Sequence, residues 1–294
     1  MALEDTDVFT RLERFYDSVP RDATVTEDIG GFVLFIREGA GWPYYARPRI
    51  GGGTPSAADV TAVRARQREL GVPEAFEWVH ETTPDLLAVA RSAGLDVLLA
   101  PLMVLDRAAL VPDLPLPGGH IRFLDPADPG FPADIAASQA VARLGFGAPA
   151  SATGAAPATA QAGALIVEPA GPAQRDAVPP PGPEAIDDLL RRHATGRFIS
   201  AVVESPADGI LACGSAQRVD GIAEVAGVAT LPAARRRGYA SQLTASLARR
   251  ALEQGDDLVF LSASDDDVAR LYSKVGFRRV GTACIASPTV VAPL

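Results

Sequence analysis

The sequence predicts an α/β fold built twice in one chain, and three observations predict it. Apolar positions alternate along the chain between helical spacing and short strand-like runs, a proline and glycine stretch divides it, and its last part overlies an earlier part without gaps at an offset of 182 residues. A length of 294 residues suits two domains of ordinary size.

Taken in order, "DVFTRLERFYDSV" places Val8, Leu12, Phe15 and Val19 on one helical face. "GGFVLFIRE" reads as a strand, and "WPYYARPRI", with Pro43 and Pro48, as an edge or irregular strand. The glycine loop "GGGTPS" opens a helix, with Thr54 or Ser56 as N-cap and Gly71 as C-cap. "AFEWVHE" (strand), "TPDLLAVARSAG" (helix) and "DVLLAPLMVL" (buried strand) complete the first domain, expected over residues 1–111. "PDLPLPGG", residues 112–119, is the expected linker.

The second domain, expected over 120–294, opens with the strand "HIRFLDP" and the helix "FPADIAASQAVARLGF". Residues of about 147–183 are rich in Ala, Pro and Gly and read as a long loop, within which "ALIVEPAG" suggests a short strand or flap. The helix "EAIDDLLRRHATG" precedes two strands joined at Asp208-Gly209, a hairpin signal. Then come the strand "IAEVAGVATL", the loop "PAARRRG", the helix "YASQLTASLARRALEQG", the strand "DLVFLSA", the helix "SDDDVARLYSKVG" and the strand "FRRVGTACIA".

Composition narrows the function. A formal net charge of −9 argues against a nucleic-acid binder, which needs a basic surface. No apolar run approaches about 20 residues, and "MALEDTDVF" is acidic where a signal peptide is basic, so the expectation is a cytoplasmic protein without a membrane partner, monomer or homodimer. Cys213 and Cys284 are too few for a disulfide framework and read as buried thiols, with no nearby His to make either a nucleophile. His80, His120 and His193 lie far apart, so no metal is expected.

Against that acidic background Arg235, Arg236 and Arg237 crowd beside Gly238, between a strand and a helix. A helix N-terminus presents unpaired N–H groups and the positive end of the macrodipole, arginine adds a bidentate cation, and glycine admits close approach. That combination suits a pyrophosphate, and a plain solvated turn is the bland alternative. Neither the P-loop nor the dinucleotide glycine pattern is present.

Arg235, Gly238 and Ala240 fit R-x-x-G-x-A, and Ala269, Leu271, Tyr272, Gly276 and Phe277 fit A-x-L-Y-x-x-x-G-F, with Asp266 where Asn is common. In these motifs the chain resembles the GCN5-related N-acetyltransferase (GNAT) superfamily over about residues 122–286. The resemblance implies a mixed sheet flanked by helices, as two GNAT-like domains in tandem. It implies acetyl-CoA as acyl donor, with Val228, Ala229 and Thr230 pairing with the pantetheine arm. The amides of Arg236, Arg237, Gly238, Tyr239, Ala240 and Ser241 would hold the pyrophosphate, Tyr272 would protonate the departing thiolate, and Val228 N–H would face the acetyl oxygen. Glu224 would accept the proton of the amine, whose neutral form alone attacks a thioester.

The offset of 182 lays "DDLVFLSASDDDVARLYSKVGF" over "EAFEWVHETTPDLLAVARSAGL", Gly238 on Ser56, Arg235 on Gly53 and Tyr272 on Ala90. The first copy lacks the acid and the arginines, so it reads as a degenerate GNAT-like domain. The sequence therefore predicts an acetyl-CoA-dependent N-acetyltransferase with an amine acceptor. The alternatives are a non-catalytic acyl-CoA-binding regulator and an interaction protein.

Overall fold

A computed structural model describes residues 5–39, 44–147 and 169–289. The chain forms two compact units. The first comprises Met1–Leu110, Arg218–Ala223 and Asp256–Leu294, the second Val111–Gln217 and Glu224–Gly255. Spatial units and sequence copies are different divisions, and residues 256–294, assigned above to the second domain of the sequence, fall in the first unit.

The first unit contains α1 (Asp5–Ser18), β1 (Thr24–Ile29), β2 (Phe32–Arg37), β3 (Ala46–Pro48), α2 (Ala57–Glu69), β4 (Phe76–Val79), α3 (Leu86–Ser92) and β5 (Leu95–Leu105). The second contains β6 (His120–Phe123), α4 (Phe131–Gly147), α5 (Pro172–Asp176), α6 (Pro183–Ala194), β7 (Phe198–Ser205), most of β8 (Gly209–Val219) and of β9 (Ile222–Thr230), and α7 (Tyr239–Glu253). The first unit is completed by β10 (Leu258–Ser262), α8 (Asp266–Ser273) and β11 (Phe277–Pro288).

Strands of the first unit are ordered β1-β2-β3-β4-β11-β5-β10. Strand β3 lies parallel to β4 and touches it at Ala46 and Phe76, whereas β11 is antiparallel to both its neighbours, with Phe277 opposite Leu105 and Ile285 opposite both Leu98 and Glu77. The last strand of the chain thus lies between two strands of the first sequence copy. One face of this sheet packs against Val8, Leu12 and Phe15 of α1, which meet Val79, Leu102, Val104 and Phe260. The other face packs against α2 and α3, where Val60, Val63, Leu86 and Ala90 meet Phe76, Trp78 and Cys284. Adjacent strand residues point to opposite faces, which is why Val79 and Trp78 part company.

The offset of 182 found in the sequence recurs in the elements. It carries the first residues of α7, β10 and β11 (Tyr239, Leu258, Phe277) onto those of α2, β4 and β5 (Ala57, Phe76, Leu95). Strand β1 is not among the strands expected from the sequence, because "TVTEDI" is largely polar and none of its residues is fully buried; it forms a hairpin with β2 across Gly30 at φ +55°. The expected strand "WPYYARPRI" shrinks to β3, and its first two residues lie outside the described ones.

In the second unit the order is β9-β8-β7-β6. The Asp208-Gly209 hairpin forms as expected, with Gly209 at φ +68°, and the buried Arg175 of α5 donates to Asp208 O and Ile210 O, both at 2.6 Å. Gly214 leaves room for Leu243 and Leu247 of α7, while Cys213 on the opposite face donates to Ser138 O of α4 at 3.2 Å. Helix α7 therefore covers one face and α4 the other. Most of the expected loop, residues 148–168, and with it most of "ALIVEPAG", lies outside the described residues. Among the described residues no helix is long and apolar enough to cross a membrane.

Candidate functional site

The arginine loop is built from the end of β9 upward. Leu231 N–H donates to Leu211 O at 2.9 Å and Ala234 N–H to Leu231 O at 2.8 Å, which turns the chain sharply after the strand. Arg235 is extended, Arg236 takes φ +65° and Gly238 φ +81°. Among the described residues, no atom beyond its neighbours in the chain lies within 4 Å of a Cβ built on Gly238, so the dihedral, and not crowding, calls for glycine there. Gly238 is also the N-cap of α7. Among the described residues no side chain caps that helix, no acid stands in its first turn, and the first intrahelical bond runs from Gln242 N–H to Gly238 O at 3.1 Å. The loop thus leads to a helix end whose first-turn donors are uncapped, with exposed Arg236 and Arg237 beside it.

Arg235 is engaged elsewhere. Its Nη2 donates to Gly145 O at 2.6 Å, in the last turn of α4, where the helix dipole favours a cation. Gly145 is buried close against β9: a Cβ there would stand 3.1 Å from Ala229 Cβ and 3.2 Å from Thr230 O. So the motif arginine ties α4 to the loop, while its two neighbours supply the exposed charge. Tyr239, expected for its amide alone, is buried and donates from its phenol to Pro117 O at 2.5 Å. Gln242 Oε1 accepts from Leu114 N–H at 2.9 Å, and Arg249 donates to Val111 O at 2.7 Å. These α7 residues share one face, and they dock the expected linker onto the helix. A cleft of ≈ 450 Å³ opens beside it, lined by Leu114, Leu116, Ile121 and Phe123.

Within β9, Gly227 at φ +64° interrupts the extended backbone, and Ser215 Oγ donates to Ala226 O at 3.2 Å. Such a kink re-aims a strand's groups. Glu224 and Val228, either side of it, are half-buried, and Ala229 is buried. Tyr272 belongs to the first unit, on α8, whose N-cap Asp265 accepts from Val268 N–H at 2.8 Å. Its ring is buried, edge-on to Phe277 with centroids 6.3 Å apart. Gly276, at φ +117°, lies so close to Ala109 O that a Cβ would stand 2.7 Å from it, which accounts for the glycine of that motif. The structure thus groups Glu224, Val228–Thr230 and Arg235–Ser241 in the second unit and holds Tyr272 in the first.

Other reactive groups are structural. Burial pushes the Cys213 and Cys284 thiols up to about 12, so neither is a thiolate near neutrality. His193 is buried, with Nδ1 at 2.8 Å from Leu189 O and Nε2 at 2.9 Å from Ser200 Oγ, and burial lowers its pKa. Among the described residues no His, Cys, Asp and Glu group could hold a metal.

A family model described as "FR47-like protein" matches residues 207–285. No curated protein matches. Among solved structures, a GCN5-related N-acetyltransferase from Kribbella flavida superposes with a TM-score of 0.68 at 19% identity, over 97% of this chain and 96% of that one. A GCN5-related N-acetyltransferase from Sphaerobacter thermophilus gives 0.51 at 16%, over 96% and 87%, and a tandem GNAT protein from the clavulanic acid biosynthesis pathway 0.51 at 14%, over 90% and 80%. The fold is the GNAT fold, in tandem. At these identities the likeness is one of architecture.

The GNAT-like copy at the N-terminus treats the equivalent helix end differently. Ser56 Oγ accepts from Asp59 N–H at 3.2 Å, and the Asp59 carboxylate accepts from Ser56 N–H at 2.8 Å, a reciprocal capping box on α2. The Ser56 amide, followed by further hydrogen bonds, holds the Asp59 carboxyl below its usual range. Pro48, which falls on Thr230, has no N–H to offer a ligand.

Proposed function

We propose that the chain is an acetyl-CoA-dependent N-acetyltransferase whose second GNAT-like copy holds the coenzyme. What carries the reading is the uncapped N-terminus of α7, reached through a loop with Arg236 and Gly238 in left-handed conformations and flanked by exposed Arg236 and Arg237. Donors without a cap, beside a cation pair, suit a pyrophosphate. The amides from Arg236 to Ser241 bind it, and Val228, Ala229 and Thr230 pair with the pantetheine arm.

The reaction is direct transfer. An amine nitrogen bonds to the thioester carbonyl carbon as the C–S bond breaks; the proton lost from nitrogen passes through water to Glu224, and the sulfur takes a proton from the Tyr272 phenol. The Val228 N–H stabilises the developing oxyanion. Glu224 on a largely apolar strand and Tyr272 at its motif position support these roles.

Calorimetry with acetyl-CoA, followed by release of free thiol across a panel of amines, tests the reading. Saturable binding and amine-dependent thiol release are expected, with turnover falling about a hundredfold in Glu224→Gln or Tyr272→Phe. Binding without thiol release would favour a regulatory acyl-CoA binder, and no binding would remove both readings.

A further inference from the structure

The first unit carries a feature that acetyl transfer does not use. On the α1 face of its sheet burial ends abruptly. Ala100 and Ala283, opposite one another on β5 and β11, are 2% and 7% exposed, whereas the next row on that face, Leu98 and Ile285, is 50% and 38% exposed. Both are interior strands, where large apolar side chains are ordinarily covered. Directly across from Ile285, on β4, stands Glu77, also open to solvent in part. Register pairs share a face, so Glu77, Ile285 and Leu98 form one row across three strands, about 10 Å from end to end.

Behind Glu77 lies Arg47 of β3, fully buried, paired through Nη2 with Glu13 of α1 and lying 5.5 Å over the Tyr16 ring, with no hydrogen-bond partner for Nε or Nη1 among the described residues. Arg47 and Glu13 neutralise each other, so an ionised Glu77 leaves one excess negative charge at the rim of a low-dielectric region. Burial pushes its carboxyl up to about 7, against the pull of Arg47. Two further acids face α1 at this end of the sheet: Glu81, just beyond β4 and beside Phe9, accepts from Thr282 N–H at 3.0 Å, and Asp96 of β5, one row on, accepts from the Thr289 hydroxyl, while the β11 residues of these rows, Ile285 and Ser287, are not ionisable.

We propose that this row is a binding site for a monovalent organic cation with a short apolar body, its charge on Glu77 and its body over Ile285 and Leu98. Charge complementarity selects the cation, because one positive charge balances the Arg47, Glu13 and Glu77 cluster. Two uncovered aliphatic side chains select the apolar body, and a row about 10 Å long accommodates a short alkyl chain. The site is independent of the acetyl-transfer reading, since it needs neither acetyl-CoA nor the arginine loop.

The test is calorimetry of the full chain without acetyl-CoA, titrating n-hexylammonium against methylammonium and n-hexanol. At pH 8, hexylammonium should bind saturably and about tenfold more tightly than either control, one lacking the body and the other the charge. At pH 6 its affinity should be about tenfold lower, because a carboxyl titrating near 7 is then mostly protonated. Glu77→Gln, close in shape, should lose about tenfold at pH 8 and abolish that pH dependence, and Leu98→Ser should weaken hexylammonium but not methylammonium. Equal binding of hexanol, a pH-independent affinity in the parent chain, or unchanged affinity in Glu77→Gln would overturn the proposal. Should Glu77→Gln fail to fold, the pH series and Leu98→Ser decide it.

Discussion

Helix α2 begins at Ala57 behind Ser56, and α7 begins at Tyr239 behind Gly238, positions related by the same 182-residue shift. Both follow a strand and a loop. At α2 the side chains of Ser56 and Asp59 occupy the helix end and place a carboxylate in its first turn. At α7 there is neither cap nor acid, and two exposed arginines stand beside the opening. A capping side chain and a bound anion compete for the same few amides. A helix that caps itself stabilises its own domain, and one left open keeps its donors for a ligand.

Transplanting the cap from α2 to α7 should have the largest effect. By the shift, Ser56 and Asp59 correspond to Gly238 and Ser241. The double substitution Gly238→Ser with Ser241→Asp should cost about a hundredfold or more in acetyl-CoA affinity by calorimetry, since it forces a side chain into a left-handed position and puts an anion at the proposed phosphate site. Undiminished affinity would separate the helix end from coenzyme binding. Replacing Arg236 and Arg237 together by alanine should weaken acetyl-CoA about tenfold and flatten the dependence of KM on salt.

The reverse change should be felt in stability. Ser56→Ala removes one half of the capping box and should lower unfolding free energy by about 1 kcal/mol in urea titrations while leaving acetyl-CoA affinity unaltered. Smaller still is the effect of acid. Asp59, exposed in part, has its folded-state pKa depressed. Its contribution is therefore full above the unfolded value of about 3.9 and is lost as pH falls through the folded value. The lead in melting temperature of the parent chain over Asp59→Asn should accordingly narrow as pH falls from about 5 to about 3.

Much of this contrast was legible in the sequence, because it depends on residue types at fixed places. Ser56 against Gly238, and arginine against glycine three residues earlier, are differences of chemistry that no packing overrides. The repeat was legible for a similar reason: strand and helix starts are set by local pattern and survived an ungapped shift. What stayed hidden depends on partners distant in sequence. Nothing in "RLGFG" announces that Gly145 will be pressed against Ala229 and will receive the Arg235 guanidinium. A buried phenol bond from Tyr239 to Pro117 likewise turned an expected linker into part of a unit. Polar β1 gave no apolar alternation to read, because it makes its hairpin largely outside the core.

Strand β11 lies between β4 and β5, though about 180 residues separate Leu95 from Phe277. On the ribosome, the first copy emerges long before the strand that must enter it, and two strand edges wait unpaired until β11 has been made. Contacts of such sequence separation slow folding. The two copies therefore cannot mature one after the other: the copy without the arginines is finished by β11 of the copy that has them, and losing that strand would split the sheet of the first unit between β4 and β5.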